Sequence, residues 1–269
     1  MTQESIGFIG LGSQGGPIAH RIVDGGMPLT VWARRAEVLE AFTAKGASAA
    51  TGVAALGAAC DHVGICVFDD AGVIEVCDQL IPAMRQGSRI AIHSTVLPET
   101  CIALEQRCAE AGIALIDAPV SGGANGAAKG TLAVMCGGTQ AVFDAALPVF
   151  ETFGKTIVLL GAVGAGQRAK IVNNSLLAAN IALAHGALEA GASMGIDRAA
   201  LVQLIRASSG YSFGVEVCAS APTPPDFKGA ELLTKDVGLL KAILPGHPGA
   251  EALALAADPY LAEAMNGAG

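Results

Sequence analysis

The sequence predicts an α/β protein: a doubly wound parallel sheet over residues 1–164, followed by an all-helical domain over residues 165–269. Three observations carry that prediction. A glycine-rich turn stands between the first strand and the first helix. Short apolar strands then alternate with helical periods as far as residue 160. Beyond Gly166 the period becomes helical, with no convincing strand after it.

Ser5 to Gly10 reads as a short apolar strand, and it leads at once into Gly10-Leu11-Gly12-Ser13-Gln14-Gly15. Ile18, Ala19, Ile22 and Val23 then give a helical period, stopped by Gly25-Gly26. Strand, G-x-G-x-x-G and helix in that order is the context of a dinucleotide site. Gly10 permits the tight turn, Gly12 lets a pyrophosphate approach the backbone, and Gly15 lets helix and strand pack closely. The amides and dipole at the helix N-terminus hold the phosphates, so Leu11, Ser13 and Gln14 are candidate cofactor contacts along with the glycines. Pro17 is tolerable in the first turns, where few amides have intrahelical partners.

The second strand, Leu29 to Ala33, runs into Arg34-Arg35, where an NAD-binding chain usually shows an acid for the ribose 2′-hydroxyl. Two guanidinium groups suit a 2′-phosphate, so NADP is favoured over NAD. The alternative is a pair of surface arginines opening the next helix.

Val63 to Phe68 is a further strand, and Asp69-Asp70 can cap the helix around Val73 to Leu80. Arg89 to His93 is another, closed by Ser94-Thr95 and Pro98, and Ile113 to Asp117 is a fifth. In a parallel sheet, ligands lie at the carboxyl ends of the strands, which is where Phe68, Thr95 and the loop after Asp117 fall. In that loop Ser121, Gly122 and Gly123 offer a hydroxyl and close-approach amides, a cradle for a carboxylate. A plain glycine-rich turn before the strand Thr131 to Cys136 fits equally well. A helix from Thr139 to Phe150 and a strand from Thr156 to Leu160 complete the domain.

Residues 167–194 then carry one long helical period, and Asp197 to Ala207 reads as a helix with an Asp cap. Breaks fall at 208–212 and 222–225, and Glu231 to Leu244 and Glu251 to Met265 read as helical. On the long helix Lys170 and Asn174 lie four residues apart and so project from one face. They set a proton donor and an orienting amide over one small volume; the alternative is a solvated lysine opening an ordinary helix.

Composition narrows the class. Hydrophobic residues make up 52% and aromatics 4%, so the core is built mainly from Ala, Val, Leu and Ile. The net charge is −8 with no basic tract, which argues against nucleic acid or anionic membrane as a partner. Seven cysteines form an odd set without C-x-x-C spacing, which suits a reducing compartment and gives no metal site. No signal-peptide pattern and no uninterrupted apolar run of spanning length is evident, so a soluble cytoplasmic protein without a membrane span is expected.

The residues now in view resemble the β-hydroxyacid dehydrogenase family, which includes 3-hydroxyisobutyrate dehydrogenases and tartronate semialdehyde reductases. The matching stretches are Gly7-Phe8-Ile9-Gly10-Leu11-Gly12, Asp117-Ala118-Pro119-Val120-Ser121-Gly122-Gly123 with Gly126-Ala127 and Gly130-Thr131-Leu132, Gly164-Ala165-Gly166-Gln167 to Lys170 with Asn173-Asn174, and Lys235-Asp236. The resemblance implies a Rossmann-type cofactor domain and a helical domain that completes the active site and makes a homodimer or higher homo-oligomer. It implies Lys170 as the catalytic lysine, Ser121, Gly122 and Gly123 as contacts to the carboxylate of a small substrate, and Asn174 as a substrate-orienting amide. Thr95 and Lys235 would lie near the nicotinamide end of the cofactor. Hydride transfer to a carbonyl builds negative charge on its oxygen, which Lys170 would stabilise and protonate. Burial against the cofactor is expected to lower the lysine's pKa towards the working range.

Some positions depart from the family. Gln14 stands where Met is usual, and His93 where Asp commonly precedes Ser94-Thr95. After Leu244 the chain breaks at Pro245-Gly246-His247-Pro248, and the remainder reads as shorter than the helices family members usually add. An imine reductase on the same fold is a second enzyme class, which Lys170 argues against because those proteins generally carry Asp or Tyr there. A non-catalytic nucleotide-binding sensor or assembly module is a third, and it would expect a lost lysine or a degraded carboxylate loop.

Overall fold

The computed structural model describes residues 4–266, so the expected domain ends at residues 1 and 269 lie outside the described residues. The chain runs β1 (Ile6–Ile9), α1 (Gly15–Asp24), β2 (Leu29–Trp32), α2 (Glu40–Thr43), β3 (Ser48–Ala49), α3 (Val53–Ala59), β4 (His62–Ile65), α4 (Asp70–Leu80), β5 (Arg89–Ile92), α5 (Pro98–Glu110) and β6 (Ala114–Asp117). Then come β7 (Val120–Ser121), α6 (Gly123–Lys129), β8 (Leu132–Cys136), α7 (Gln140–Phe150) and β9 (Gly154–Leu159). Five helices follow: α8 (Ala165–Ser193), α9 (Arg198–Arg206), α10 (Phe213–Ser220), α11 (Ala230–Ile243) and α12 (Pro248–Asn266). The chain divides into two compact units, Met1–Lys170 and Ile171–Gly269.

In the first unit six strands form a parallel sheet in the order β3-β2-β1-β4-β5-β6. The strands read as continuous apolar runs because both faces are covered. Ile6 and Phe8 of β1 pack with Ile18 and Ile22 of α1 on one face. Ile9 turns to the other face, with Leu56 of α3, Val73 of α4 and Cys101 of α5. The chain works outward from β1 to β3 and returns to β4 on the other side of β1, which opens a crevice at the strands' carboxyl ends. Asp69 caps α4 as expected, its Oδ1 accepting from the Gly72 amide at 2.9 Å. Pro98, read as closing the strand before it, opens α5.

The strands after residue 119 do not join that sheet. β7, β8 and β9 form a second, three-stranded sheet in which β7 runs antiparallel to β8 and β9 parallel to it. Pro119 has no amide with which to continue the ladder beyond β6, and its carbonyl instead accepts from Met135 of β8. The stretch read as a glycine-rich loop is also partly helical. Gly122 (φ +128°) and Gly123 (φ +61°) make the bend that starts α6, and Ala127 fixes that helix by burial in the core around α1.

Every regular element among the second unit's described residues is a helix. Ala178, Ile181, Ala184 and Leu188 repeat at helical spacing along α8 and bury against Val202, Val215, Val237 and Leu261 of the four helices that follow. By length and composition alone α8 is apolar enough to cross a membrane, a property that a search for an uninterrupted apolar run passes over. Those four residues sit in the unit's core, so this face of the helix packs as a core helix does. The break after Leu244 is followed by α12, a 19-residue helix that buries Tyr260 and Leu261. The helix expected over residues 251–265 thus forms and begins three residues earlier, at Pro248.

Asp197 caps α9, its Oδ1 accepting from the Ala200 amide at 2.8 Å. Asp197→Ala is expected to lower stability by about 1 kcal/mol, read as a lower urea midpoint at unchanged slope.

Candidate active site

Two glycines of the first turn are explained by packing, and the third is not. A Cβ on Gly10, where φ is +95°, would lie 2.1 Å from the Cys66 carbonyl oxygen, and one on Gly15 would lie 1.9 Å from the carbonyl oxygen of Gly10. A Cβ on Gly12 would meet nothing within 4 Å. The backbone at Gly12 is therefore open to a ligand, and the N-terminus of α1 beside it has no side-chain cap from Gln14. Ser13 and Gln14 occupy the same turn, so its amides and the helix dipole suit the pyrophosphate of a dinucleotide.

The crevice continues as a cleft of about 490 Å³ lined by Gly10, Leu11, Trp32, Arg34, Arg35 and Phe68 among others. Phe68 is 56% exposed at its edge. The two arginines follow β2 and are exposed, and Arg34 Nη2 donates to Glu75 Oε2 of α4 at 2.6 Å. The residues present thus fit a nicotinamide dinucleotide: the open backbone between Gly10 and Gly15 suits its phosphates, and Arg34 and Arg35 line the same cleft.

Asp117, at the carboxyl end of β6, is fully buried. Its Oδ1 accepts from the Gly164 amide at 2.7 Å and its Oδ2 from the Gln167 amide at 2.8 Å, which pins the start of α8 to the sheet. Gln167 extends the clamp: its Nε2 donates to the Ser94 carbonyl at 2.9 Å and its Oε1 accepts from the Val96 amide at 3.1 Å. Those bonds bracket Thr95, which is buried. They also explain why the compact units divide at Lys170/Ile171, six residues beyond the expected 164/165, since the first turns of α8 belong to the loops of the sheet. Lys170 lies one turn beyond Gln167 and is only 7% exposed. It acts on Cys66, just beyond β4: burial pushes that thiol up to about 12 while the Lys170 charge works against the rise.

Ser121 is half-buried and pairs with Ala133 in the small sheet, while Gly122 and Gly123 stay exposed at the bend into α6. In the second unit Asn174 is buried, and its Nδ2 donates to Asp236 Oδ2 at 2.6 Å while its Oδ1 accepts from Asn173 Nδ2 at 3.1 Å. Asp236 Oδ1 lies 3.6 Å from Lys235 Nζ. Asp117, Gln167 and Asp236 stand in the stretches that carry the family resemblance, but their partners were not expected: Asp117 and Gln167 hold the start of the lysine's helix, and Asp236 accepts from Asn174. The available signal was an acid or amide inside each of the glycine-rich and Lys-Asp stretches. His93 is a structural residue. It is buried against Phe8, Phe150 and Phe153, its Nδ1 lies 2.8 Å from the Ala118 carbonyl, and burial holds its pKa down at about 4.

A doubly wound sheet with an open phosphate turn, and a buried lysine beside its strand ends, defines the class of nucleotide-dependent dehydrogenases. Residues 5–161 match the family described as the NAD binding domain of 6-phosphogluconate dehydrogenase, and residues 164–266 the one described as NAD-binding of NADP-dependent 3-hydroxyisobutyrate dehydrogenase. The chain is 35% identical to the NAD-dependent L-serine dehydrogenase of Pseudomonas aeruginosa, over 88% of this chain and 84% of that protein. It is 32% identical to the mitochondrial 3-hydroxyisobutyrate dehydrogenase of Drosophila melanogaster, over 89% of this chain and 78% of that protein. Among solved structures, the 3-hydroxyisobutyrate dehydrogenase of Mycobacterium tuberculosis with L-serine superposes with a TM-score of 0.86 at 27% identity, covering 99% of this chain and 96% of that one. The chain belongs to the β-hydroxyacid dehydrogenase family and is an NAD(P)-dependent oxidoreductase of the 3-hydroxyisobutyrate dehydrogenase type.

The buried clamp has a pH signature. Desolvation raises the Asp117 pKa from 3.8 to about 6, against the lowering effect of the Gly164 and Gln167 amides. The folded protein therefore binds this proton more tightly than the unfolded chain, and the stability it contributes is present in full below about pH 4 and lost as pH rises through about 6. That loss is on the order of 3 kcal/mol. Asp117→Asn should flatten this part of the stability profile, measured by urea unfolding between pH 4 and pH 7. An unchanged slope would refute the assignment.

Proposed function

We propose that the protein interconverts a small β-hydroxy acid and its semialdehyde or keto acid, with NADP favoured over NAD and Lys170 as the acid/base. The observation that carries this reading is a lysine buried to 7% exposure on a helix whose first turn is fixed by Asp117 and Gln167. Burial of a lysine to that extent is uncommon in a folded protein. The cofactor, when bound, supplies or accepts the hydride. Lys170 gives its proton to the carbonyl oxygen as negative charge builds there, or takes it back from the alcohol in the reverse direction. Ser121 and the amides at Gly122 and Gly123 receive the substrate's carboxylate. Asn174 is held by Asp236, and its amide orients the reacting oxygen. Thr95 and Lys235 serve the nicotinamide end.

The relatives named for L-serine and for 3-hydroxyisobutyrate act on compounds that share an alcohol on the carbon β to a carboxylate. That shared group is the substrate class proposed here. One of those relatives is NAD-dependent, so family membership leaves the nucleotide open; Arg34 and Arg35 support NADP by matching a 2′-phosphate. We also infer a homo-oligomer, supported by Leu183, Leu204 and Leu255, which are largely exposed on the single chain. Sedimentation as a monomer at working concentration would overturn it.

Lys170→Ala should lower kcat by about 100-fold or more while NADPH still binds. The assay is NADPH and NADH oxidation with a panel of C3–C4 semialdehydes and cyclic imines. Undiminished turnover in the variant would sink the role of the lysine, and turnover of imines alone would point to imine reduction.

A further inference from the structure

The cleft that receives the adenosine end of the cofactor contains a carboxylate that the reading above does not use. Glu75 stands on α4 among the lining residues, opposite the end of β2. Its Oε2 accepts from Arg34 Nη2 at 2.6 Å across 41 residues of sequence. Asp69, another carboxylate in the cleft lining, is committed to capping α4 through the Gly72 amide. Glu75 is instead directed at the guanidinium. Both side chains of the pair are well exposed, 71% for Arg34 and 58% for Glu75. Such a pair is weak and opens readily, so Arg34 remains available to a stronger anion. A phosphate that takes the Nη2 donor must displace Glu75, and one that takes the other guanidinium donors sits beside it; either way the carboxylate stays within reach of the phosphate's negative charge.

We propose that Glu75 is a specificity-determining residue that restrains the preference for NADP over NAD. The proposal rests on the reading that Arg34 and Arg35 receive the 2′-phosphate. A ribose with a free 2′-hydroxyl neither competes for Arg34 nor places like charge beside Glu75, so it escapes both penalties. The carboxylate therefore narrows the advantage that two arginines alone would give to the phosphorylated nucleotide. Two like charges roughly 5 Å apart in an aqueous setting change an affinity by about fourfold. A dianionic phosphate feels more.

The test is calorimetric binding to the full chain of adenosine 2′,5′-bisphosphate and of 5′-AMP, which carry the two ribose ends without the redox chemistry. Glu75→Gln should tighten the bisphosphate about fivefold or more and leave 5′-AMP within about twofold, and the gain should shrink as salt is raised. Glu75→Ala should behave alike, which separates loss of charge from any new bond by the amide. If Arg34→Ala weakens the bisphosphate but both Glu75 variants leave it unchanged or weaken it, Glu75 does not oppose the phosphate and the proposal falls while the reading of the arginines stands. If neither Arg34→Ala nor Arg35→Ala affects the bisphosphate, the arginine reading itself fails.

Discussion

The placement of the chemistry depends on one buried carboxylate. Asp117 ends β6, the strand at one edge of the parallel sheet, and accepts two amides from the beginning of α8, so a group fixed to the sheet sets where the longest helix starts. Burial makes the charge costly, as its raised pKa of about 6 records, and the two charge-assisted bonds offset part of that cost. Taking away either partner would leave an uncompensated charge in the interior, which is why such an arrangement behaves as a unit. Gln167 carries the same constraint to the loop after β5 through both ends of its amide. Lys170 and Thr95 are thereby fixed by the same few bonds.

The cofactor end is organised by backbone and shape. The order of strands opens a crevice, and close approach between Gly10, Gly15 and the β4 end lets α1 sit with its amides facing that crevice. Gly12 adds no packing, so what it contributes is room. Asp69 is committed to capping α4, and the other lining charges, two arginines and Glu75, share an exposed rim. The glycine turn is therefore shaped by backbone packing, while Arg34 and Arg35, proposed to choose the nucleotide, are surface charges that salt can screen.

The features legible in the sequence were those whose physics is local. The glycine turn between strand and helix, the aspartate caps at Asp69 and Asp197, and the long period of α8 all depend on neighbours within a turn or two. What stayed hidden was decided at long range. Asp117 meets partners 47 and 50 residues away, Asn174 finds Asp236 across 62, and Arg34 finds Glu75 across 41. The helix over residues 123–129 is built from glycine and alanine around Asn125, a composition with weak propensity of its own, and Ala127 fixes it through burial. The separation of β7–β9 into their own sheet follows from Pro119 and from which strand edge is free, which periodicity along a single strand does not reveal.

A chain so poor in aromatics has one consequence at its cleft. Trp32, at the end of β2, is the only tryptophan in the sequence and lines the cleft beside Arg34. Indole emission responds to the polarity around the ring and is quenched by a reduced nicotinamide that absorbs where it emits. Excited where tyrosine does not absorb, the protein's emission therefore comes from one place, and occupancy of the nucleotide site can be followed by light without attaching any dye.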